Sequence, residues 1–196
     1  CSTIVTDFVS KNVDLIMANA TPALQAAANA TTTIPILGTS VTEYGVALGI
    51  DNFSGTVGGN ISGTADLAPL DQQAAMLNEL FPDAKNVGLV YCSAEANSEY
   101  QIKVIEEYLT GKGLKCTRYS FSDSNDISAV TTTAASQSDV IYIPTDNTAA
   151  SCTETIGNIV REKKVPVVAG EKGIASGCGV AALSISYYDL GVKTGE

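Results

Sequence analysis

Histidine and tryptophan are absent from this 196-residue chain. Without histidine it lacks the usual general base near neutral pH and the commonest zinc ligand. The five cysteines are Cys1, Cys92, Cys116, Cys152 and Cys178, and none forms a CxxC pair. A zinc ribbon and a thioredoxin motif are therefore excluded. Basic residues are scarce: 11 Lys and Arg stand against 21 Asp and Glu, leaving a net charge of −10. Binding nucleic-acid phosphates takes clustered Lys and Arg, so no nucleic-acid partner is expected. No apolar run reaches the roughly 18 residues of a membrane span, and no signal-peptide pattern is present. Gly58-Gly59-Asn60 lacks the Gly-Lys-Ser/Thr ending and the preceding strand of a phosphate loop, so no nucleotide or other cofactor is expected.

Short apolar runs that each empty into a polar, small-residue turn are abundant. Val13-Asp14-Leu15-Ile16-Met17 leads to Ala18-Asn19-Ala20-Thr21-Pro22, where Pro22 suits a first helical turn and Thr21 its cap. Ile34-Pro35-Ile36-Leu37 leads to Gly38-Thr39-Ser40, and Val87-Gly88-Leu89-Val90-Tyr91 to Cys92 through Ser98. Val165-Pro166-Val167-Val168 leads to Ala169-Gly170-Glu171. The richest junction follows Asp139-Val140-Ile141-Tyr142-Ile143. It places Pro144-Thr145-Asp146-Asn147-Thr148 between a strand and a helix. Strands alternating with helices point to parallel sheets in an α/β protein, whose ligands bind beyond the carboxyl ends of the strands. A helix start there favours an anion, and Asp146 suits a cation. Equally, Asp146 or Asn147 fits a plain helix N-cap.

Two lobes can be drawn. Residues 1–65 form a first lobe with its crossover, with strands at 13–17 and 34–38 and a helix at 21–31. Two parallel strands cannot cover their own faces, so a further βα unit is expected before residue 1. The Gly-, Asn- and Ser-rich stretch 51–66 reads as turn and crossover. Residues 66–185 form a second lobe. Its strands lie near 86–91, 115–121, 139–143, 165–168 and 180–185, and its helices near 97–112, 126–137, 148–163 and 172–176. Right-handed crossovers give it the strand order 2-1-3-4-5. Residues 186–196 start a helix returning to the first lobe. Cys1-Ser2 has the form of a lipid-modified terminus, but Ile4, Val5, Phe8 and Val9 pattern residues 2–10 as a helix with no spacer. Cys1 therefore reads as an internal residue. Cys116 reads as core, and Cys152 and Cys178 could approach each other near the binding edge, a disulfide between them being the less favoured outcome.

Ala20-Thr21-Pro22, Gly59-Asn60-Ile61-Ser62-Gly63, Glu95-Ala96-Asn97-Ser98, Pro144-Thr145-Asp146-Asn147 and Ser186 through Gly191 occur in that order along the chain. Together they resemble the ABC-transporter substrate-binding proteins of the TrpX-like type. The resemblance implies a two-lobe periplasmic-binding-protein fold (type I) with parallel, doubly wound sheets and an interlobe cleft. It also implies a monomeric, extracytoplasmic lipoprotein that takes a small ligand such as an aromatic or large apolar amino acid and serves an ABC permease. Carried over residue by residue, Thr21 and Ser40 face the ligand from the first lobe. Glu95, Asn97, Ser98, Thr145, Asp146, Asn147 and Glu171 face it from the second. Helix starts at Thr21 and Asn97 suit a carboxylate, and Asp146, Glu95 or Glu171 an ammonium. Tyr44 and Tyr91 are placed to stack on an aromatic side chain, Tyr91 equally to be core.

Two other readings stand beside this one. Cofactor-independent amino-acid racemases also pair two α/β lobes and set a cysteine on each side of the cleft, which Cys92 and Cys152 loosely echo. A ligand-sensing domain of a receptor or regulator has the same fold.

Overall fold

The computed structural model describes residues 1–196, which divide into two compact units: Cys1–Leu67 with Ile185–Glu196, and Ala68–Ser184.

The first unit opens with α1 (Ser2–Ser10), followed by β1 (Ile16–Asn19), α2 (Thr21–Ala30), β2 (Ile36–Val41), α3 (Tyr44–Leu48) and β3 (Ile61–Ala65). β1, β2 and β3 form a parallel sheet in that order. Alternation decides the faces: Ile16 and Ala18 are buried, while Met17 and Asn19 are exposed. Leu24 and Ala27 of α2 pack with Val5, Ile36 and Val41 into one core.

Two expectations are corrected here. The first unit has a third strand, β3, inside the stretch read as turn and crossover. Its glycine and hydroxyl residues hide it from a hydrophobicity pattern. They are needed because Gly63 pairs with Gly38 where the Tyr44 ring lies on both. Thr21 is not the cap of α2 but its first residue; Ala20 precedes it at a φ of 77°, with no side-chain cap. Short α3, not anticipated, forms because Glu43 accepts the Gly45 and Val46 N–H groups at 3.0 and 2.6 Å.

The second unit contains α4 (Leu70–Leu80), β4 (Asn86–Cys92), α5 (Ala96–Gly111), β5 (Lys115–Phe121), α6 (Ile127–Gln137), β6 (Val140–Ile143), α7 (Asn147–Ser151), α8 (Thr153–Lys163), β7 (Val167–Ala169), α9 (Lys172–Cys178) and β8 (Ala181–Ala182). Its parallel sheet runs β5-β4-β6-β7-β8, which is 2-1-3-4-5 counted within the unit. Helices cover both faces, so β6 is buried throughout. Val140 and Tyr142 join Leu77, Ile102, Ile105 and Leu109 on the α4–α5 face. Ile141 and Ile143 join Phe121, Ile127, Ile156 and Val160 on the other. Each such Leu or Ile contributes about 1.5–3 kcal/mol by burial. Tyr142 needs a partner for its hydroxyl at this depth, and Gln73 of α4 supplies it at 2.5 Å. The same amide donates to the Gly170 and Leu183 carbonyls at 3.1 and 2.7 Å.

The helix expected over 148–163 is two helices, α7 and α8, broken at Cys152. The anticipated approach of Cys152 and Cys178 yields no bond, and all five cysteines are free. Cys116 is half-buried against the α4–α5 face. After β8 the chain returns to the first unit as α10 (Tyr187–Gly195), where Thr194 lies against β2 and β3. No helix is long and apolar enough to cross a membrane.

Candidate functional site

Three neighbouring strands of the second unit, β4, β6 and β7, end in the turns that carry most of the candidate residues. Glu95 precedes α5 but does not cap it. Its carboxylate reaches α7 instead. Oε2 accepts from the Asn147 N–H at 3.0 Å and the Asn147 amide at 2.7 Å. Oε1 accepts from the Thr148 N–H at 2.9 Å and its hydroxyl at 2.7 Å. The anion expected at a helix start on this edge is thus the protein's own. Only 7% of Glu95 is exposed. Burial pushes its pKa up, but the Thr148 and Asn147 donors outweigh burial and hold it below the usual carboxylate range.

Asp146 is 1% exposed and caps α7: Oδ1 accepts from the Ala149 N–H at 2.8 Å. Its Oδ2 accepts from the Cys92 N–H at 2.7 Å and so ties the β6 turn to the end of β4. Burial, then the nearby Glu95 charge, raises its pKa against the N–H groups of Ala149 and Cys92 and the Ser98 hydroxyl. Glu171 likewise caps α9, accepting from Gly173 and Ile174. All three acids of this edge therefore use both oxygens within the unit, and the cap reading of Asp146 is the one the geometry displays.

Asn97 differs. Its amide nitrogen faces three acceptors, Glu95 Oε2 at 3.2 Å, Ser98 Oγ at 3.3 Å and the Thr145 carbonyl at 3.2 Å. Those acceptors decide which end is nitrogen. The remaining Oδ1 has no partner, although Asn97 is only 4% exposed. Gln101, one turn further along α5, brackets the Thr145 peptide: it accepts from the Thr145 N–H at 3.1 Å and donates to its carbonyl at 2.9 Å. Gln101 and Gln73 were not among the sequence candidates. For Gln73 the signal is an amide on an otherwise apolar helix face.

The other candidates of this unit take structural positions. Tyr91 is buried in the α4–α5 core, the second of the two positions expected for it. Cys92 is buried, its thiol donates to the Ser122 carbonyl at 3.6 Å, and burial pushes its pKa up. Burial likewise lifts Cys178 to about 11. Neither environment yields a thiolate near neutral pH.

In the first unit the edge is a cluster of hydroxyls. Thr194 Oγ1 lies 2.9 Å from Thr39 Oγ1 and 2.7 Å from Thr64 Oγ1. Ser40 sits inside β2 at a φ of 53°, the left-handed region uncommon for a residue with a Cβ. Thr21 is buried at the start of α2. Tyr44 is buried and donates to the Thr64 carbonyl at 3.1 Å. Burial and the Asp66 charge lift its pKa to about 12. Asp66, just beyond β3, is a candidate the sequence reading passed over. It is 3% exposed, accepts from the Tyr187 hydroxyl at 2.9 Å through Oδ2, and has no partner on Oδ1. Burial raises its pKa, partly offset by the Tyr187 and Thr42 hydroxyls. Its one visible signal was an acid closing the run Ile61–Ala65.

Two α/β units with parallel sheets, joined by two chain crossings and carrying polar turns at their strands' carboxyl ends, define the solute-binding class with the type I periplasmic-binding fold. The chain belongs to the ABC transporter substrate binding protein family, whose pattern matches residues 1–196. It is 35% identical over 193 residues to a tyrosine-binding protein of Clostridioides difficile (strain R20291), covering 98% of this chain and 56% of that protein. The chain thus spans little more than half the length of that relative. A Streptococcus pneumonia ABC domain solved in complex with L-Trp superposes with a TM-score of 0.94 at 31% identity, over 99% of this chain and 67% of that one. The leucine-binding protein LivK of Thermotoga maritima shares the fold, with a TM-score of 0.63 at 18% identity over 90% and 52% of the two chains.

Proposed function

We propose that this protein is the extracytoplasmic solute receptor of an ABC importer and that it captures an α-amino acid with an aromatic or large apolar side chain. The carrying observation is similarity along nearly the whole chain to a protein named for tyrosine and to a domain complexed with L-Trp. In this reading Thr21 and Ser40 of the first unit contact the ligand, as do Asn97, Ser98, Thr145 and Asn147 of the second. Glu95, Asp146 and Glu171 hold the turns in place, since their oxygens are taken by neighbouring N–H groups. The unpartnered Asn97 Oδ1 is the acceptor through which the second unit meets a ligand N–H. The protein acts as a monomer, anchored as a lipoprotein, and hands the ligand unchanged to its permease.

A thermal-shift screen of the twenty L-amino acids tests this. A ligand at about 100 times its Kd adds about 2.7 kcal/mol of stability. Tyrosine, tryptophan or a large apolar amino acid is expected to raise the Tm, and the acidic and basic ones are not. A flat response to amino acids with hits among sugars or nucleosides would sink the ligand assignment. Chiral chromatography of the best hit after incubation is expected to show no D-enantiomer. Racemisation that vanishes in Cys92→Ala or Cys152→Ala would replace the transport reading with an enzyme.

A further inference from the structure

The acids at the strand ends divide into two kinds. Glu95, Asp146 and Glu171 each accept on both oxygens from donors of their own unit. Asp66 is equally buried, but while its Oδ2 accepts from Tyr187, its Oδ1 has no partner. An ionised carboxylate removed from water with an unfilled acceptor is costly, and the cost is relieved by protonation or by a donor seated on it. The protein supplies no cation for the purpose. Its four ion pairs use Asp7, Glu99, Glu106 and Glu196. What surrounds Asp66 is hydroxyl: Tyr187 bonded to it, Thr42 beside it, and Tyr44 close enough to feel its charge. This is a setting for a small cation with several N–H groups. The carboxylate offers the charge, and the hydroxyls offer further acceptors.

Position agrees with chemistry. Asp66 follows directly on β3, and its N–H bonds the Val41 carbonyl at 3.1 Å, so it lies where β2 and β3 both end. That is the carboxyl edge of the first unit's sheet, where parallel α/β sheets bind ligands. Tyr187, at the start of α10, is 38% exposed and bonds the other oxygen of the carboxylate.

We propose that Asp66 is the specificity-determining carboxylate that receives the ligand's α-ammonium group on its open oxygen. The proposal rests on the amino-acid reading above and assigns the ammonium to the first unit rather than to Glu95, Asp146 or Glu171. Asp66 then discriminates an amino acid from the otherwise identical carboxylic acid that lacks the amino group.

The test is calorimetric titration of the wild-type protein and of Asp66→Asn with L-tyrosine and L-tryptophan, and with their des-amino analogues, 3-(4-hydroxyphenyl)propionate and indole-3-propionate. The wild type is expected to prefer the amino acids strongly. Asp66→Asn is expected to lose roughly 10- to 100-fold in amino-acid affinity, the scale of a charged hydrogen bond, and to bind the des-amino acids as before. Unchanged affinity and unchanged preference in Asp66→Asn would overturn the proposal and leave Asp66 as a tie to Tyr187. If the wild type binds neither amino acid, the functional reading fails first and the assignment of Asp66 with it. A measurement on the wild type covers a variant that does not fold. With aspartate labelled at the carboxyl carbon, the Asp66 signal is expected to move on saturation with the amino acid and not with its des-amino analogue. The reverse pattern, or no movement, would overturn the proposal.

Discussion

Glu95→Ala is expected to destabilise the second unit by about 3 kcal/mol at neutral pH, a large effect for one side chain outside the apolar core. Its carboxylate accepts the N–H groups of Asn147 and Thr148 at the start of α7, and it also takes the Asn147 amide and the Thr148 hydroxyl. Each buried donor left without an acceptor costs about 1–3 kcal/mol. Relief of repulsion with Asp146, whose pKa the Glu95 charge raises, returns part of this. The sign of the pH dependence follows from the direction of the shift. Glu95 titrates below the usual carboxylate range when folded, so its contribution is present above that range and is lost as pH falls through the lowered folded value. The gap between wild type and Glu95→Ala is therefore widest near neutrality and closes on acidification. Urea unfolding followed by circular dichroism at several pH values measures it. A loss below about 1 kcal/mol at pH 7 would mean that water replaces the carboxylate, and the structural role assigned to Glu95 would fall.

Gly63→Ala is expected to cost at least about 2 kcal/mol, and its damage should be confined to the first unit. A Cβ at Gly63 would fall on the Gly38 carbonyl oxygen and the Tyr44 hydroxyl. The first of these is backbone of the paired strand, so relief requires β2 and β3 to separate. Overpacking at a site with no slack costs about 1–3 kcal/mol before any strand separation. Asp66, three residues on, would move with the strand, so amino-acid affinity should fall along with stability. Gly111→Ala is the control: nothing lies within 4 Å of its added Cβ, and it closes α5. That change should lie within about 0.5 kcal/mol of neutral, as surface substitutions usually do. Equal thermal midpoints for the two variants would refute the argument from close approach.

The second unit was largely legible before any coordinates. β4, β6 and β7 are each an apolar run followed by a polar turn, and helices between parallel strands leave few strand orders open. The first unit was less so, because β3 is written in Ser, Gly and Thr, residues that also compose turns. It is a strand because Gly63 has no side chain to hold it off Gly38 and Tyr44, a requirement set by a neighbour and not by the strand's own hydrophobicity. The break at Cys152 was hidden for a related reason: nothing in residues 148–163 is a strong helix breaker.

By itself, the sequence determined the class of the protein. Its alternation of strands and helices, its missing histidine and basic clusters, and its ordered set of short motifs all bear on elements and composition, which are local properties. Only the tertiary structure decided what each acid does. Glu95 is satisfied by residues 52 and 53 positions away, Asp146 by Cys92 at 54, and Asp66 is half-satisfied by Tyr187 at 121. Whether a carboxylate is spent or open depends on which donors folding brings to it. Those donors come from other turns at the ends of neighbouring strands, brought together by the pairing of the sheets.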